Sequence, residues 1–211
     1  MSTEPALPAR PESPDATTRA PATSSRRLVA LAFAIAAVVI AIDQLTKWWA
    51  LTALEQGEPQ RNLLGDFLSL RLVFNPGAAL GKFAGYTWAL TIVVVVVVAV
   101  IIRVISKIRS RAWAITLGLL LGGAIGNLID RLFRYPGFAH GHVVDFIGYW
   151  NWFTGNVADI AIVVAAVMLA LLSVRGIGLD GRREADREAD HGADREGGDV
   201  PSGDAAPGAG S

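Results

Sequence analysis

Cysteine is absent from this 211-residue chain, and histidine and charged residues are scarce. The lack of cysteine excludes disulfide bonds, thiolate zinc sites and a cysteine nucleophile. Charged residues make up 18% of the chain, whereas a typical water-soluble domain contains about 25%. The formal net charge is zero, so electrostatics do not indicate a nucleic-acid partner. Apolar residues are abundant instead, at 52% of the chain with a mean hydropathy of +0.42, and this composition indicates a membrane protein.

Four apolar segments are long enough to predict four transmembrane helices, since a bilayer crossing takes about 20 residues. They cover residues 28–49, 87–105, 112–129 and 157–174. The first is too long for a signal peptide, and it ends in Asp43, Lys47 and a Trp pair instead of a small-residue cleavage site. We therefore expect it to be retained, with Trp48 and Trp49 at the membrane interface.

The segments outside the spans predict a small platform and two tails. Apolar residues alternate from Leu68 to Phe74, which predicts a strand, and the following Asn-Pro-Gly predicts a turn. A platform is therefore expected over 68–83. Residues 1–25 and 176–211 have the small, polar and charged composition that is typical of disorder. The predicted fold class is an all-α membrane protein with four transmembrane helices and a small extracytoplasmic β platform, and its membrane domain is 26–175.

Four spans place both termini on one side of the membrane. Basic residues are concentrated near the termini and in the loop between the second and third spans. The positive-inside bias therefore places both termini in the cytoplasm. The same alternation brings the polar residues in and beside the spans to the opposite, extracytoplasmic face. Those residues are Asp43, Lys47, Asn127, Asp130, Arg131, Asp145, Asn156 and Asp159.

Several of these polar residues have a structural as well as a functional interpretation. Asp43 and Lys47 have the i,i+4 spacing of a helical ion pair, and a structural pair near the interface is favoured. Asn127 and Arg131 share a helix face, where Arg131 either steadies a carboxylate or extends to the interface. Asp130 is expected to point elsewhere. Three glycines at four-residue spacing in the third span favour close helix packing. They are Gly118, Gly122 and Gly126.

Asp145 and Asp159 are the candidate catalytic residues, because both carboxylates lie in apolar surroundings where a charge is costly. Each could alternatively cap a helix or pair with an arginine. Two close carboxylates share a proton, so that one activates water as a general base while the other polarises a carbonyl. A competing metal site would use His140, His142 and Asp145 in the pattern H-x-H-x-x-D.

Five ordered sequence blocks resemble lipoprotein signal peptidase, also called signal peptidase II. The blocks are DQLTK at 43–47, NPGAALG at 75–81, GGAIGNLIDR at 122–131, HVVDFI at 142–147 and NVADIAI at 156–162. The resemblance covers 28–174 and leaves out both tails. It implies an aspartic endopeptidase of the bacterial inner membrane that removes signal peptides from prolipoproteins, cutting before a diacylglyceryl-modified cysteine.

By this resemblance Asp145 and Asp159 form the catalytic dyad. The residues that it implies to support the site or contact substrate are Asp43, Lys47, Asn75, Gly77, Gly123, Asn127, Arg131, Asn156 and Ala158. The implied partners are diacylglyceryl-modified prolipoproteins and membrane lipid, without nucleic acid, cofactor or metal, and a monomer is expected. The loop between the two aspartates is shorter than is usual, with Gly155 where an aromatic residue commonly precedes Asn156. The stretch before His142 is extended, and both departures concern substrate gating.

Two other classes of membrane protein are alternatives to the peptidase. In a proton-coupled carrier Asp43, Asp145 and Asp159 would form a relay, but a carrier needs polar groups at mid-membrane and often an internal repeat. The second span has no polar side chain between Ile92 and Ile102. A non-catalytic assembly subunit would use the glycine face and leave the converging aspartates unexplained.

Overall fold

The computed structural model of the protein describes residues 22–77, 87–150 and 152–183. The remainder of the two predicted tails, residues 78–83 of the predicted platform, and residues 84–86 and 151 lie outside these ranges. Within the described ranges four helices are long and apolar enough to cross a membrane, which confirms the predicted spans. They are α1 (Ala22–Ala53), α2 (Thr87–Ile105), α3 (Arg111–Phe133) and α4 (Val157–Val174).

Helix α3 lies at the centre of the bundle, where it packs against α1, α2 and α4. The three predicted glycines face α1, which confirms the close-packing prediction. A Cβ added to Gly118 would lie 2.7 Å from the Ala32 carbonyl oxygen, and one on Gly122 would lie 2.9 Å from that of Ala36. Gly126 faces the same helix further along. The absence of side chains at these positions lets the two backbones approach closely.

A four-stranded antiparallel sheet sits at one end of the bundle, in the order β1-β2-β3-β4. The strands are β1 (Arg61–Leu64), β2 (Leu68–Asn75), β3 (Val143–Tyr149) and β4 (Phe153–Gly155). Strand β2 confirms the strand predicted from alternation, whereas the other three were not predicted. The pairing of β2 with β3 sets Val73 opposite Asp145 and Asn75 opposite Val143. This register brings the end of β2 beside a candidate catalytic residue.

Two buried apolar clusters fix the ends of the molecule. One joins α1, α2 and α3 through side chains that include Leu28, Ile105 and Ala114. The other packs the sheet onto the far end of α1, where Ala50 contacts a group that includes Val144. Because Val144 precedes Asp145, the second cluster helps to fix that carboxylate relative to α1.

The chain after α4 folds back onto the loop between α2 and α3. The Arg109 backbone N–H donates to the Leu179 carbonyl at 2.8 Å, and the Trp113 indole N–H donates to the Ile177 carbonyl at 3.1 Å. Residues 176–183 therefore make specific contacts, although their composition predicted disorder.

Candidate active site

Asp145 and Asp159 lie on different elements but line one cavity. Asp145 projects from β3 and is 2% exposed. Asp159 lies in the first turn of α4. The short chain between them forms the β3–β4 hairpin and returns directly into α4, which explains how residues 14 positions apart reach the same space.

Two asparagine amides hold the carboxylate of Asp145. Asn75 Nδ2 donates to Asp145 Oδ2 at 2.9 Å, and Asn156 Nδ2 donates to Asp145 Oδ1 at 2.7 Å. The Asn75 side-chain oxygen accepts the Gly77 backbone N–H at 3.1 Å. This Asx turn uses the oxygen of the amide and leaves its nitrogen to face Asp145.

Asp159 is held by a second amide and by the start of its own helix. Asn127 Nδ2 donates to Asp159 Oδ1 at 2.8 Å, and the Asn156 backbone N–H donates to Asp159 Oδ2 at 3.1 Å. Asn156 is the N-cap of α4 and forms a capping box with Asp159. The capping interpretation therefore also holds for Asp159, because this residue caps the start of α4 and also lines the cavity.

Burial raises the pKa of Asp145 to about 7, since desolvation disfavours the ionised carboxylate. The hydrogen bond from Asn75 opposes this rise, the charge of Asp159 adds to it, and Asn156 and Lys47 oppose it. Asp145 is therefore able to hold a proton near neutral pH. A carboxyl group in that state can donate a hydrogen bond to a substrate carbonyl.

The cavity has a volume of about 660 Å³ and is polar at one end only. Its polar lining consists of Asn75, Asn127, Arg131, Asp145, Thr154 and Asp159. Much of the remaining wall is formed by aliphatic residues of α2, α3 and α4, and by Trp152 and Phe153 at the sheet. Val97 on α2 and Val163 on α4 line the cavity while being 43% and 61% exposed. The cavity therefore opens sideways between α2 and α4, toward the lipid.

Arg131 is the cation on the cavity wall. It is 7% exposed, and its Nη1 atom has no hydrogen-bond partner within the described part of the chain. An unmet guanidinium donor in a buried setting is costly. Arg131 is a lining residue of the cavity, and the charges of Asp145, Asp130 and Asp159 act on its guanidinium group. Its side chain therefore stays inside the protein beside the carboxylates and is not extended to the interface.

A buried ion cluster supports the dyad from the side away from the cavity. Lys47 Nζ lies 2.8 Å from Asp43 Oδ2 and 2.8 Å from Asp130 Oδ2, and it donates to Asn127 Oδ1 at 3.0 Å. The predicted Asp43–Lys47 ion pair is confirmed, and both side chains are fully buried within the protein. Asp43 Oδ1 also accepts the Ala158 backbone N–H at 2.9 Å, and so caps α4 from another helix.

Gly123 and Ala158 bring α3 and α4 together behind the site. A Cβ added to Gly123 would lie 2.5 Å from the Ala158 carbonyl oxygen, and one on Gly126 would lie 3.3 Å from Ala158 Cβ. Larger residues here would separate Asn127 from Asp159. These two residues thus act through packing and do not line the cavity.

The histidines of the alternative metal pattern are not assembled with Asp145. His140 is exposed, and its Nδ1 lies 3.0 Å from the Phe138 carbonyl oxygen. Among the described residues no three His, Asp or Glu side chains are grouped closely enough to hold a metal ion.

Sequence reasoning missed Asp130 and Gln44. Asp130 points away from the cavity, as expected, but it is fully buried in the ion cluster. Gln44 Nε2 bridges the Gly126 carbonyl, Asp43 and Asp130. The signal for Asp130 was available, because an acidic residue in an apolar span is as costly there as at Asp159.

Comparison with known proteins identifies the relatives of this chain. Residues 35–175 match the sequence profile of a family described as signal peptidase (SPase) II. A lipoprotein signal peptidase of Rhodococcus jostii (strain RHA1) is 51% identical over 164 residues, which cover 78% of this chain and 81% of that protein. One of Mycobacterium avium (strain 104) is 43% identical over 183 residues, covering 85% of this chain and 100% of that protein. Two solved structures described as bacterial membrane enzymes share the fold, with TM-scores of 0.61 and 0.59 at 24% and 25% identity. These matches cover 69% and 68% of this chain and 88% and 92% of theirs.

Proposed function

Because this chain belongs to the signal peptidase II family, we propose that it removes signal peptides from prolipoproteins as an aspartic endopeptidase, with Asp145 and Asp159 as its catalytic residues. The observation that carries this assignment is a pair of hydrogen bonds from Asn156. Its side-chain amide donates to Asp145, and its backbone N–H donates to Asp159. One residue thereby couples both carboxylates at the polar end of a single cavity. Close carboxylates of this kind share a proton and catalyse peptide hydrolysis without a covalent intermediate.

In the proposed reaction Asp159 is the base and Asp145 carries the shared proton. Asp159 takes a proton from a water molecule, whose oxygen attacks the scissile carbonyl carbon while Asp145 donates a hydrogen bond to the carbonyl oxygen. The tetrahedral intermediate then loses its C–N bond, and the leaving amine nitrogen receives a proton from the dyad. The products are the carboxylate end of the signal peptide and the free amine of the mature lipoprotein. The two titrations belong to the pair and not to either residue alone.

The shape of the cavity fits a substrate that stays in the membrane. The scissile peptide lies at the polar end, whereas the diacylglyceryl chains of the adjacent cysteine extend along the aliphatic wall and out between α2 and α4. The exposed cavity-lining residues Val97 and Val163 support this path. Arg131 lines the polar end and supplies a positive charge beside both carboxylates.

The membrane orientation follows from charge. Basic residues gather at the end of the bundle that carries both termini, including Arg26, Arg103, Lys107 and Arg175. The positive-inside bias supports cytoplasmic termini and places the sheet and dyad at the extracytoplasmic face. The proposed location is therefore the bacterial inner membrane, with the membrane domain at 26–175 acting as a monomer.

The dyad is tested by cleavage of a diacylglyceryl-modified prolipoprotein by purified protein in lipid vesicles. Asp145→Asn and Asp159→Asn keep side-chain size but remove the shared proton or the base. Each should lower cleavage by roughly 10⁴-fold, as expected when one member of a catalytic unit is lost. Both variants should still retain the uncleaved substrate in a pull-down, because binding depends on the apolar wall and Arg131.

The matched control is Asp66→Asn, the same change at an aspartate of the exposed β1–β2 turn, which should cleave like the wild type. Substantial cleavage by Asp159→Asn would disprove the assignment of Asp159 as a catalytic residue. Inactivation of the wild type by a chelator, together with loss of activity in His140→Ala, would favour the metal site. A wild-type protein that never cleaves the substrate would disprove the peptidase function itself.

A further inference from the structure

Asp130 is the most heavily contacted carboxylate of the buried ion cluster. Its Oδ1 accepts from Arg134 Nε at 2.5 Å and from Gln44 Nε2 at 3.4 Å. Its Oδ2 contacts Lys47 Nζ at 2.8 Å and accepts the Val144 backbone N–H at 3.1 Å. Asp130 is 0% exposed and does not line the cavity, so it has no direct access to substrate.

One contact of Asp130 leads to the first carboxylate of the dyad. Val144 immediately precedes Asp145 on β3, and its N–H is bonded to the Asp130 side chain. The Val144 carbonyl in turn lies 3.4 Å from Asn156 Nδ2, the amide that holds Asp145 Oδ1. Asp130 therefore fixes the strand position from which Asp145 projects.

Another contact of Asp130 leads to the second carboxylate. Lys47, which Asp130 holds, donates to the oxygen of the Asn127 amide. A lysine ammonium can only donate hydrogen bonds, so the Asn127 oxygen must face it and the amide nitrogen must face Asp159. Lys47 therefore helps to set the direction of the Asn127–Asp159 hydrogen bond, together with Asn156 Nδ2, which also donates to Asn127 Oδ1 at 3.1 Å.

We propose that Asp130 is a positioning residue of the dyad, which sets Asp145 through the Val144 N–H and Asp159 through Lys47 and Asn127. This inference rests on the proposed function, since it assigns a role in the same reaction. It differs from a stability role because both links end on the reacting carboxylates. A misplacement of about 1 Å at reacting groups costs on the order of 100-fold in rate.

The variant Asp130→Asn keeps the size of the side chain and changes only its charge and hydrogen bonds, so it tests the positioning role without creating a cavity. The new amide has the same shape, but its nitrogen faces donors in either orientation: Arg134 Nε and Gln44 Nε2 in one, Lys47 Nζ and the Val144 N–H in the other. The variant also lacks the negative charge that holds Lys47. Lys47 should then move toward Asp43 and release Asn127. We expect kcat to fall roughly 100-fold, with little change in KM because the cavity wall is untouched.

The pH profile gives a readout that a merely structural role would not move. The charged groups around the dyad are Asp43 and Lys47 on α1, Asp130 and Arg131 on α3, and Arg134 at the C-cap of α3. Asp130→Asn removes a negative charge and leaves the three cations Lys47, Arg131 and Arg134, so ionised carboxylates become more favourable. The whole pH–rate profile of residual cleavage should therefore shift to lower pH.

The matched control is Arg134→Gln, which removes the partly exposed partner of Asp130 but leaves its contacts with Val144 and Lys47. It should keep kcat close to the wild-type value, and its pH profile should shift, if at all, to higher pH. The assay is steady-state cleavage of the diacylglyceryl-modified substrate by full-length protein in vesicles, measured across pH.

Two outcomes would overturn the inference while the wild type stays active. One is an Asp130→Asn protein with wild-type kcat. The other is a reduced kcat with an unmoved pH profile and an equal loss in Arg134→Gln. If Asp130→Asn does not accumulate, Asp130→Asn/Lys47→Gln also removes the cation that Asp130 contacts, so that the buried cluster does not keep an excess of positive charge. That double variant should fold, bind substrate and cleave slowly, and full activity in it would equally reject the inference. Absence of cleavage by the wild type would instead disprove the proposed function.

Discussion

At the scale of single residues, the dyad is oriented by asparagines whose own oxygens are already engaged. Asn75 Oδ1 accepts from Gly77, Asn127 Oδ1 accepts from Lys47, and Asn156 Oδ1 accepts the Asp159 N–H at 3.1 Å. None of these donors can accept a hydrogen bond in return. Each amide nitrogen is therefore left to face a carboxylate, and the four carboxylate oxygens each receive one donor.

A change at Asn75 should alter the pH dependence of cleavage in a known direction. Burial raises the pKa of Asp145 to about 7, and the Asn75 hydrogen bond opposes this rise because it stabilises the charged form. Asn75→Ala removes that bond, so the pKa of Asp145 should rise further. The alkaline limb of kcat/KM against pH, where the shared proton is lost, should therefore move to higher pH.

The control for Asn75→Ala is Ser69→Ala, which removes a buried polar group from the same strand at a distance from the dyad. Its pH profile should coincide with that of the wild type. A limb that stays in place, or moves to lower pH in Asn75→Ala, would show that Asp145 does not control the alkaline limb.

At the scale of elements, α3 is held against α1 by glycines and carries polar residues toward both its neighbours. Gly118 and Gly122 meet the α1 backbone, whereas Gly123 meets α4. The same helix supplies Asn127 and Arg131 to the cavity and Asp130 to the ion cluster. Close packing on two sides is thus what brings the cluster on α1 and the dyad residue on α4 within hydrogen-bond reach of one helix.

Adding one methyl group at Gly118 tests this packing without touching the site. Alanine is favoured over glycine in a helix by about 1 kcal/mol. Overpacking against backbone costs about 1–3 kcal/mol, and the added Cβ would lie 2.7 Å from the Ala32 carbonyl oxygen. The clash should win, so Gly118→Ala should lower the melting temperature in detergent. Gly137→Ala is the control, because nothing lies within 4 Å of its added Cβ. Equal or higher stability in Gly118→Ala would show that α1 and α3 can separate at little cost.

The spans were predictable from sequence because a bilayer crossing imposes length and hydropathy directly. Strand β1 was not, since its four residues are all exposed and carry no alternation of burial. Strand β3 was missed for the opposite reason, because VVDFI is nearly continuous in burial and short apolar runs fit strand and helix equally. Asp145 and Asp159 became candidates through the cost of a charge in apolar surroundings, whereas Asn75, Gly77, Gly123 and Ala158 became candidates only through the family resemblance. No role was predicted for Asp130, because Asn127 and Arg131 share a helix face and Asp130 points away from that face.

At the scale of the whole molecule, the two ends of the bundle have separate tasks. The end with the sheet holds the dyad and the cavity, whereas the other end is closed by contacts between the α2–α3 loop and residues 176–183. The family match ends at 175, so this returning segment lies outside it. The segment nevertheless bonds to Arg109 and Trp113. The contribution of residues 176–183 must therefore be tested separately from that of residues 184–211.

Two truncations should differ although both remove the C-terminal tail. Deletion of 184–211 leaves every contact described here, and cleavage and melting temperature should match the full chain. Deletion of 176–211 also removes the acceptors for the Arg109 and Trp113 N–H groups, and should lower the melting temperature while leaving KM unchanged. Thermal unfolding and cleavage assays in the same vesicles make the comparison. Loss of activity on removing 184–211 from a normally inserted protein would assign a role to that tail.

The sideways opening of the cavity between α2 and α4 has a pharmacological consequence. At about 660 Å³ the cavity matches the size of drug-binding pockets, which span roughly 300–1,000 Å³. A competitive inhibitor enters it from the bilayer, so the concentration that governs inhibition is the one dissolved in lipid. Apparent potency should therefore weaken as vesicle lipid is added at constant total inhibitor.

Resistance mutations should be rare at the polar end of the cavity, because each asparagine there is bonded to a dyad carboxylate. A substitution that repels the inhibitor at that end also disturbs the dyad. Resistant variants should instead appear along the aliphatic wall, at positions such as Val97 and Val163.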